Sequence, residues 1–128
     1  VQVTLLAARK AGKLRWYNPQ VLNAIRRRTG APEHLRVALY PHGVHAKLLV
    51  VDGAVVDVGS ANFNRLSHEG YGEANLCLRV PAVGRALAQV IEGHVAEATL
   101  ATGRIRASRV KARLERHFMD RAGKQALK

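Results

Sequence analysis

Residues 45–58 constrain this chain more than any other stretch. Ala46-Lys47-Leu48-Leu49-Val50-Val51 is an apolar run interrupted by one lysine and closed by Asp52-Gly53, and Ala54-Val55-Val56-Asp57-Val58 is a second run. Two such runs joined by Asp-Gly predict a β-hairpin, because both turn residues tolerate the positive φ that a tight reversal requires. Side chains alternate along a strand, so His45, Lys47, Leu49 and Val51 fall on one face and Ala46, Leu48 and Val50 on the other. An imidazole and an ammonium side by side on a buried strand are costly without partners, so something anionic is expected to meet them.

The flanking sequence predicts an α/β fold. Val1 to Ala8 is rich in Val, Leu and Thr, as a strand buried on both faces would be. A basic loop follows, with Trp16 and Tyr17 placed to cover a core edge or to stack on bases or lipid. Asn18-Pro19 predicts a helix start, with Asn as N-cap, an apolar face of Val21, Leu22 and Ile25, and Gly30 as the stop. His34 to Tyr40 and Glu73 to Val80 predict further strands, and Pro81 opens a long helix that Gly103 breaks. The order strand, helix, strand, hairpin implies a mixed, mostly parallel sheet flanked by helices.

The chain has 128 residues, enough for one domain with a core; residues 1–103 are expected to form it. Residues 104–128 form a basic helical tail on or beside it, with nine basic residues against two acids. Val110, Leu114 and Phe118 at i, i+4, i+8 make that helix amphipathic, suited to anionic lipid, to a phosphate backbone, or to docking one narrow stripe. The net charge of +12 and pI near 11.1 point to polyanionic partners: nucleic acid, an anionic membrane surface or phosphorylated substrates. The lone Cys77 excludes an internal disulfide, and its apolar neighbours predict a buried thiol. No apolar run reaches the length of a membrane span and no signal peptide is visible, although the chain opens without Met and is expected to be part of a longer protein.

His45-x-Lys47-x4-Asp52-x6-Gly59-Ser60-x-Asn62 resembles the HKD motif of the phospholipase D superfamily. Six specified residues at average usage match by chance with a probability of roughly 10⁻⁸ per starting position. Asn64, Ser67 and Glu73-Ala74-Asn75-Leu76 resemble the segment after the second motif of bacterial cardiolipin synthases, and the likeness extends from Val1 to about Leu100.

The resemblance implies phosphodiester chemistry with no metal or cofactor. A neutral imidazole attacks phosphorus to give a phosphohistidine, and a protonated one donates to the leaving oxygen. By resemblance His45 is one imidazole, Lys47 the fixed positive charge and Asn62 a neutral donor to the non-bridging oxygens, with Ser60 holding the loop or the phosphate. Glu73 matches the family's glutamate that orients the catalytic histidine through its far nitrogen. Asp52 belongs to the motif but also suits a hairpin turn. Asn64 and His68 are placed at the pocket mouth. His42 and His45, with no nearby Cys or matched carboxylate, make a poor zinc pair.

The family builds one active site from two such motifs, and this chain carries one. It is therefore expected either to be the C-terminal half of a two-motif enzyme or to form a homodimer. In the first case His45 is by resemblance the general acid and base rather than the nucleophile. Three functions follow: phosphatidyl transfer or hydrolysis on phospholipid, at the cytoplasmic face of a membrane as a peripheral protein; a homodimeric endonuclease; or a non-catalytic phosphate-binding half-domain.

Overall fold

The structure is a computed structural model that describes residues 1–9, 15–29, 32–63 and 65–126. In chain order the elements are β1 (Val3–Ala8), α1 (Tyr17–Arg28), β2 (Leu35–Tyr40), β3 (Leu48–Val51), β4 (Val55–Gly59), α2 (Arg65–Glu69), β5 (Asn75–Arg79), α3 (Pro81–Glu97), β6 (Thr99–Leu100) and α4 (Arg109–Ala126). The chain is α/β with mixed pairing and helices, as its pattern implies. The described strands, however, form two three-stranded sheets, β1-β2-β6 and β3-β4-β5, and only the β1–β2 pairing is parallel. The hairpin accounts for the antiparallel β3–β4 pair, because a tight turn can join only antiparallel neighbours. The chain divides into two compact units, Val1–Val44 with His94–Asp120 and His45–Gly93 with Arg121–Lys128.

In the first unit, β1 pairs with β2 from Val3–Leu35 to Ala8–Tyr40. Leu22, Leu35 and Val37 form the buried core, with Leu5, Ala7, Leu39, Ala101 and Ile105 packed around them. Buried Asn23 is satisfied by a single residue, donating to the Ile105 carbonyl at 2.8 Å and accepting from the Ile105 N–H at 2.9 Å.

Helix α1 does not start at Asn18. It starts at Tyr17 with Trp16 in the cap position and no cap from that residue's own side chain. The Glu115 carboxylate of α4 instead accepts from the backbone N–H groups of Trp16 (2.9 Å) and Tyr17 (2.7 Å). A charged acceptor on two free amides outweighs a local Asn cap. Pro19 is then the third helical residue, where its missing N–H leaves no gap. Gly30, the expected stop, lies outside the described residues, and Thr29 closes the helix onto the Ile25 carbonyl.

Helix α3 ends at Glu97 rather than at Gly103, because Thr99 and Leu100 pair with Leu39 and Ala38 of β2. The helical spacing runs on to Ala98, but the open edge of β2 offers ladder hydrogen bonds that a further helical turn would forfeit.

In the second unit, Asp52 (φ 52°) and Gly53 (φ 61°) both take the left-handed conformation, and the Ala54 N–H closes the turn on the Val51 carbonyl at 3.0 Å. The hairpin register runs from Val51–Val55 to Leu48–Val58. Val56 at its centre is fully buried. On α3, Gly84 lies so close to the Gly53 carbonyl that a Cβ there would overlap it.

A Cβ at Gly53 would meet only the Arg85 side chain, at an ordinary 3.6 Å. The cost of Gly53→Ala is therefore conformational, and roughly 1–2 kcal/mol of stability should be lost. Urea unfolding checks this; an unchanged midpoint would contradict the turn geometry.

Candidate active site

The hairpin explains the spacing of the motif. Lys47 lies five residues before the Asp52-Gly53 turn and Gly59 six residues after Gly53, so the two arms return to the same end of the sheet. There the Gly59 N–H donates to the Lys47 carbonyl at 3.3 Å. Gly59 must be glycine, since a Cβ would overlap the Asn75 carboxamide oxygen and the Ala74 carbonyl.

Close approach at Gly59 lets the next residues clip onto the start of β5. The Ser60 N–H donates to the Ala74 carbonyl at 3.0 Å, and the Ser60 hydroxyl accepts from the Ala74 N–H at 3.1 Å. That hydroxyl in turn donates to the Glu73 carboxylate at 2.5 Å. The Asn75 side-chain oxygen accepts from the Ala61 N–H at 3.1 Å, while its amide donates to Asp57 of β4 at 2.5 Å. Gly59-Ser60 and Glu73-Ala74-Asn75 thus form one fitted joint. The single proton of the Ser60 hydroxyl is committed to Glu73, which leaves this serine holding the loop.

Beyond the joint, Ser67 on α2 is buried and accepts from both the backbone N–H (3.1 Å) and the side-chain amide (3.4 Å) of Asn62. Ser67 also donates to Glu73. Glu73 therefore sits between two hydroxyls, and these outweigh an opposing effect of burial to hold its carboxyl below the usual carboxylate range; Lys47 and His68 nearby add smaller effects in the same direction as the hydroxyls.

Lys47 Nζ stands 3.0 Å from Nε2 of His45 and 2.9 Å from the His45 carbonyl oxygen. An ammonium has donors only, so Nε2 is the accepting, unprotonated nitrogen and the ring proton is assigned to Nδ1. The lone pair needed for attack on phosphorus, or for taking a proton, is thus present and capped by a cation.

Several expected features stand differently. His45 and Lys47 are not on an interior strand: β3 begins at Leu48, His45 is exposed and Lys47 half-buried. β3 is an edge strand, and the face bearing Leu49 (47% exposed) and Val51 (43%) is open. Cys77, expected to be buried, is exposed in β5 opposite Asp57. Apolar neighbours in sequence lie on the other face of a strand and do not cover it. Asp52 occupies the turn, at the far end of the hairpin from His45, roughly 20 Å away at the rise of a strand. Among the described residues Glu73 is hydrogen-bonded to Ser60 and Ser67, not to His45. His68 is exposed on α2, and Asn64 lies outside the described residues. His42 is stacked edge-on against Tyr40, with ring centroids 5.4 Å apart.

One working residue escapes the sequence reading of the site: Asp57, whose sign is that it is the only charged residue within the Val-rich β4. Ser67 enters that reading through the family resemblance alone, and its local sequence does not mark its role.

A family model described as the cardiolipin synthase, PLD-like domain matches residues 1–95, the span that holds the hairpin, the joint and most of α3. The chain belongs to the phospholipase D superfamily, in its cardiolipin synthase-like branch. Neither the curated proteins nor the solved structures gave a match. Among the described residues no helix is long and apolar enough to cross a membrane.

A lowered carboxyl pKa in the fold stabilises it above the ordinary carboxylate range, and that contribution is lost as pH falls through the folded-state value. Glu73→Gln removes this linkage. The fall in melting temperature between neutral and acidic pH should be smaller in Glu73→Gln than in the parent; equal falls would contradict the assignment.

Proposed function

We propose that this chain supplies one half-site of a phospholipase D-type enzyme that transfers or hydrolyses phosphatidyl groups, as the C-terminal half of a two-motif protein. The observation that carries the proposal is the Lys47 ammonium 3.0 Å from His45 Nε2, beside the loop that presents Asn62. A phosphodiester entering this site offers Lys47 a better acceptor than a neutral imidazole, namely an anionic oxygen. Lys47 then releases Nε2 and, with Asn62, holds the non-bridging oxygens where negative charge grows.

With its lone pair free, His45 acts as general base and acid. Nε2 takes the proton of an incoming water or alcohol while that oxygen attacks a phosphohistidine formed on the opposite half-site. In the first half-reaction Nε2, released by Lys47, takes a proton from solvent and gives it to the leaving oxygen; the proton taken from the incoming water or alcohol in the second step restores the protonated ring. The Ser60–Glu73–Ser67 joint keeps the Asn62 loop in place throughout. The motif, the Glu73-Ala74-Asn75 continuation and the cardiolipin synthase-like family support phospholipid as substrate.

A second reading, a homodimeric nuclease, is favoured by one motif per chain and the +12 charge. Turnover of labelled phosphatidylglycerol to a new lipid or a free headgroup, by protein whose assembly is set by gel filtration, is the expected result. Cleavage of DNA with no lipid turnover would reverse the ranking. His45→Ala should lower turnover by about 10³-fold or more without altering the fold. Retained activity would remove His45 from the mechanism.

A further inference from the structure

In the first unit, α1 and α4 border a cleft of about 1090 Å³. Its wall carries Arg27, Arg28, Arg104, Arg109, Arg113 and Arg116, and no acidic side chain lines it. Arg116 pairs with Asp120 at 3.8 Å on the exposed side of α4, and the other five have no acidic partner among the described residues. Six guanidinium groups around one concavity repel each other unless something polyanionic neutralises them. That every cation there is arginine points to phosphate, whose oxygens the planar guanidinium fork grips two at a time.

The second observation concerns α4 itself. Val110, Leu114 and Phe118 are 71%, 65% and 66% exposed, so this stripe does not dock on the protein. The helix packs instead through Ala112, 1% exposed, and through half-buried Glu115. By helical spacing the stripe lies on the side away from Ala112, and a shallow depression joins Val110 and Leu114 to Arg109 and Arg113 of the cleft. An aliphatic and aromatic stripe rimmed by arginine finds nothing to bury against on a solvated nucleic-acid backbone. At a bilayer surface, both halves are used.

We propose that α4 docks this protein on an anionic phospholipid bilayer, with Val110, Leu114 and Phe118 entering the headgroup–acyl boundary and Arg109 and Arg113, where the edge of the cleft meets the stripe, holding lipid phosphates. None of its residues belongs to the motif, and the proposal does not rest on the phosphatidyl chemistry.

Flotation of the protein with vesicles tests it. Phosphatidylcholine–phosphatidylglycerol vesicles should carry the protein upward, pure phosphatidylcholine should not, and added salt should weaken the binding. Leu114→Ser with Phe118→Ser should reduce vesicle binding about tenfold, since apolar area no longer leaves water. Arg109→Gln with Arg113→Gln should reduce it about twentyfold by removing two charges from the anionic surface. Both pairs are exposed, so folding should survive, and an unchanged thermal midpoint verifies this. His45→Ala should float like the parent, which separates failure here from failure of the catalytic reading. Equal binding to neutral vesicles would overturn the proposal. So would complete displacement by free glycerol phosphate, which marks a soluble-phosphate site, or salt-sensitive binding to duplex DNA without binding to vesicles.

Discussion

The register of the β3–β4 hairpin is the constraint on which the site depends. With Asp52 and Gly53 both at positive φ, the strands pair Leu48 with Val58, and Lys47 comes to lie against Gly59. A slip of one residue would turn every side chain of β3 to the opposite face and part Lys47 from the Gly59-Ser60 corner. The separation between the His-x-Lys and Gly-Ser-x-Asn segments is thus the length of two hairpin arms. Asp52 serves that geometry from the far end, which accounts for a motif aspartate standing away from the polar cluster.

At the other end of the sheet, space decides the arrangement. The missing side chain of Gly59 admits Asn75 and the Ala74 carbonyl, and Ser60 then bridges Glu73 and the Ala74 amide. Ser67 completes the cluster from α2 by accepting from Asn62 and bonding to Glu73. A carboxylate supported by two hydroxyls, with Lys47 near it, fixes a loop that carries a neutral amide donor. Beside it, His45 remains exposed with its Nε2 turned toward a cation. Under the proposed function this cluster is one half-site for an anionic ligand, and its exposed imidazole leaves room for a companion from an opposing half.

What could be read from sequence was what neighbours in sequence decide. The Asp52-Gly53 turn, the alternation along β3 and the motif residues follow from turn conformation and strand period, and the α/β class from the order of elements. Features set by distant partners were not legible. Glu115, almost a hundred positions away, moves the start of α1 from Asn18 to Tyr17. The edge of β2 recruits Thr99 and Leu100 and shortens α3. Exposure was the hardest to judge: Cys77, Leu49 and the Val110–Leu114–Phe118 stripe are apolar positions whose cover depends on what packs above them. Likeness pairs Glu73 with His45, whereas its observed hydrogen bonds go to Ser60 of the motif and to Ser67, and no spacing rule in the sequence joins those two hydroxyls to Glu73.

The central claim is that Nε2 of His45 accepts from the Lys47 ammonium while Nδ1 carries the ring proton. Long-range ¹H–¹⁵N correlation spectra of the ¹⁵N-labelled protein at neutral pH observe this directly. The account predicts a pyridine-like shift for Nε2 and a pyrrole-like shift for Nδ1, with the Nε2 resonance altered in Lys47→Met. A ring protonated at Nε2 with a bare Nδ1, unaffected by loss of Lys47, would contradict it.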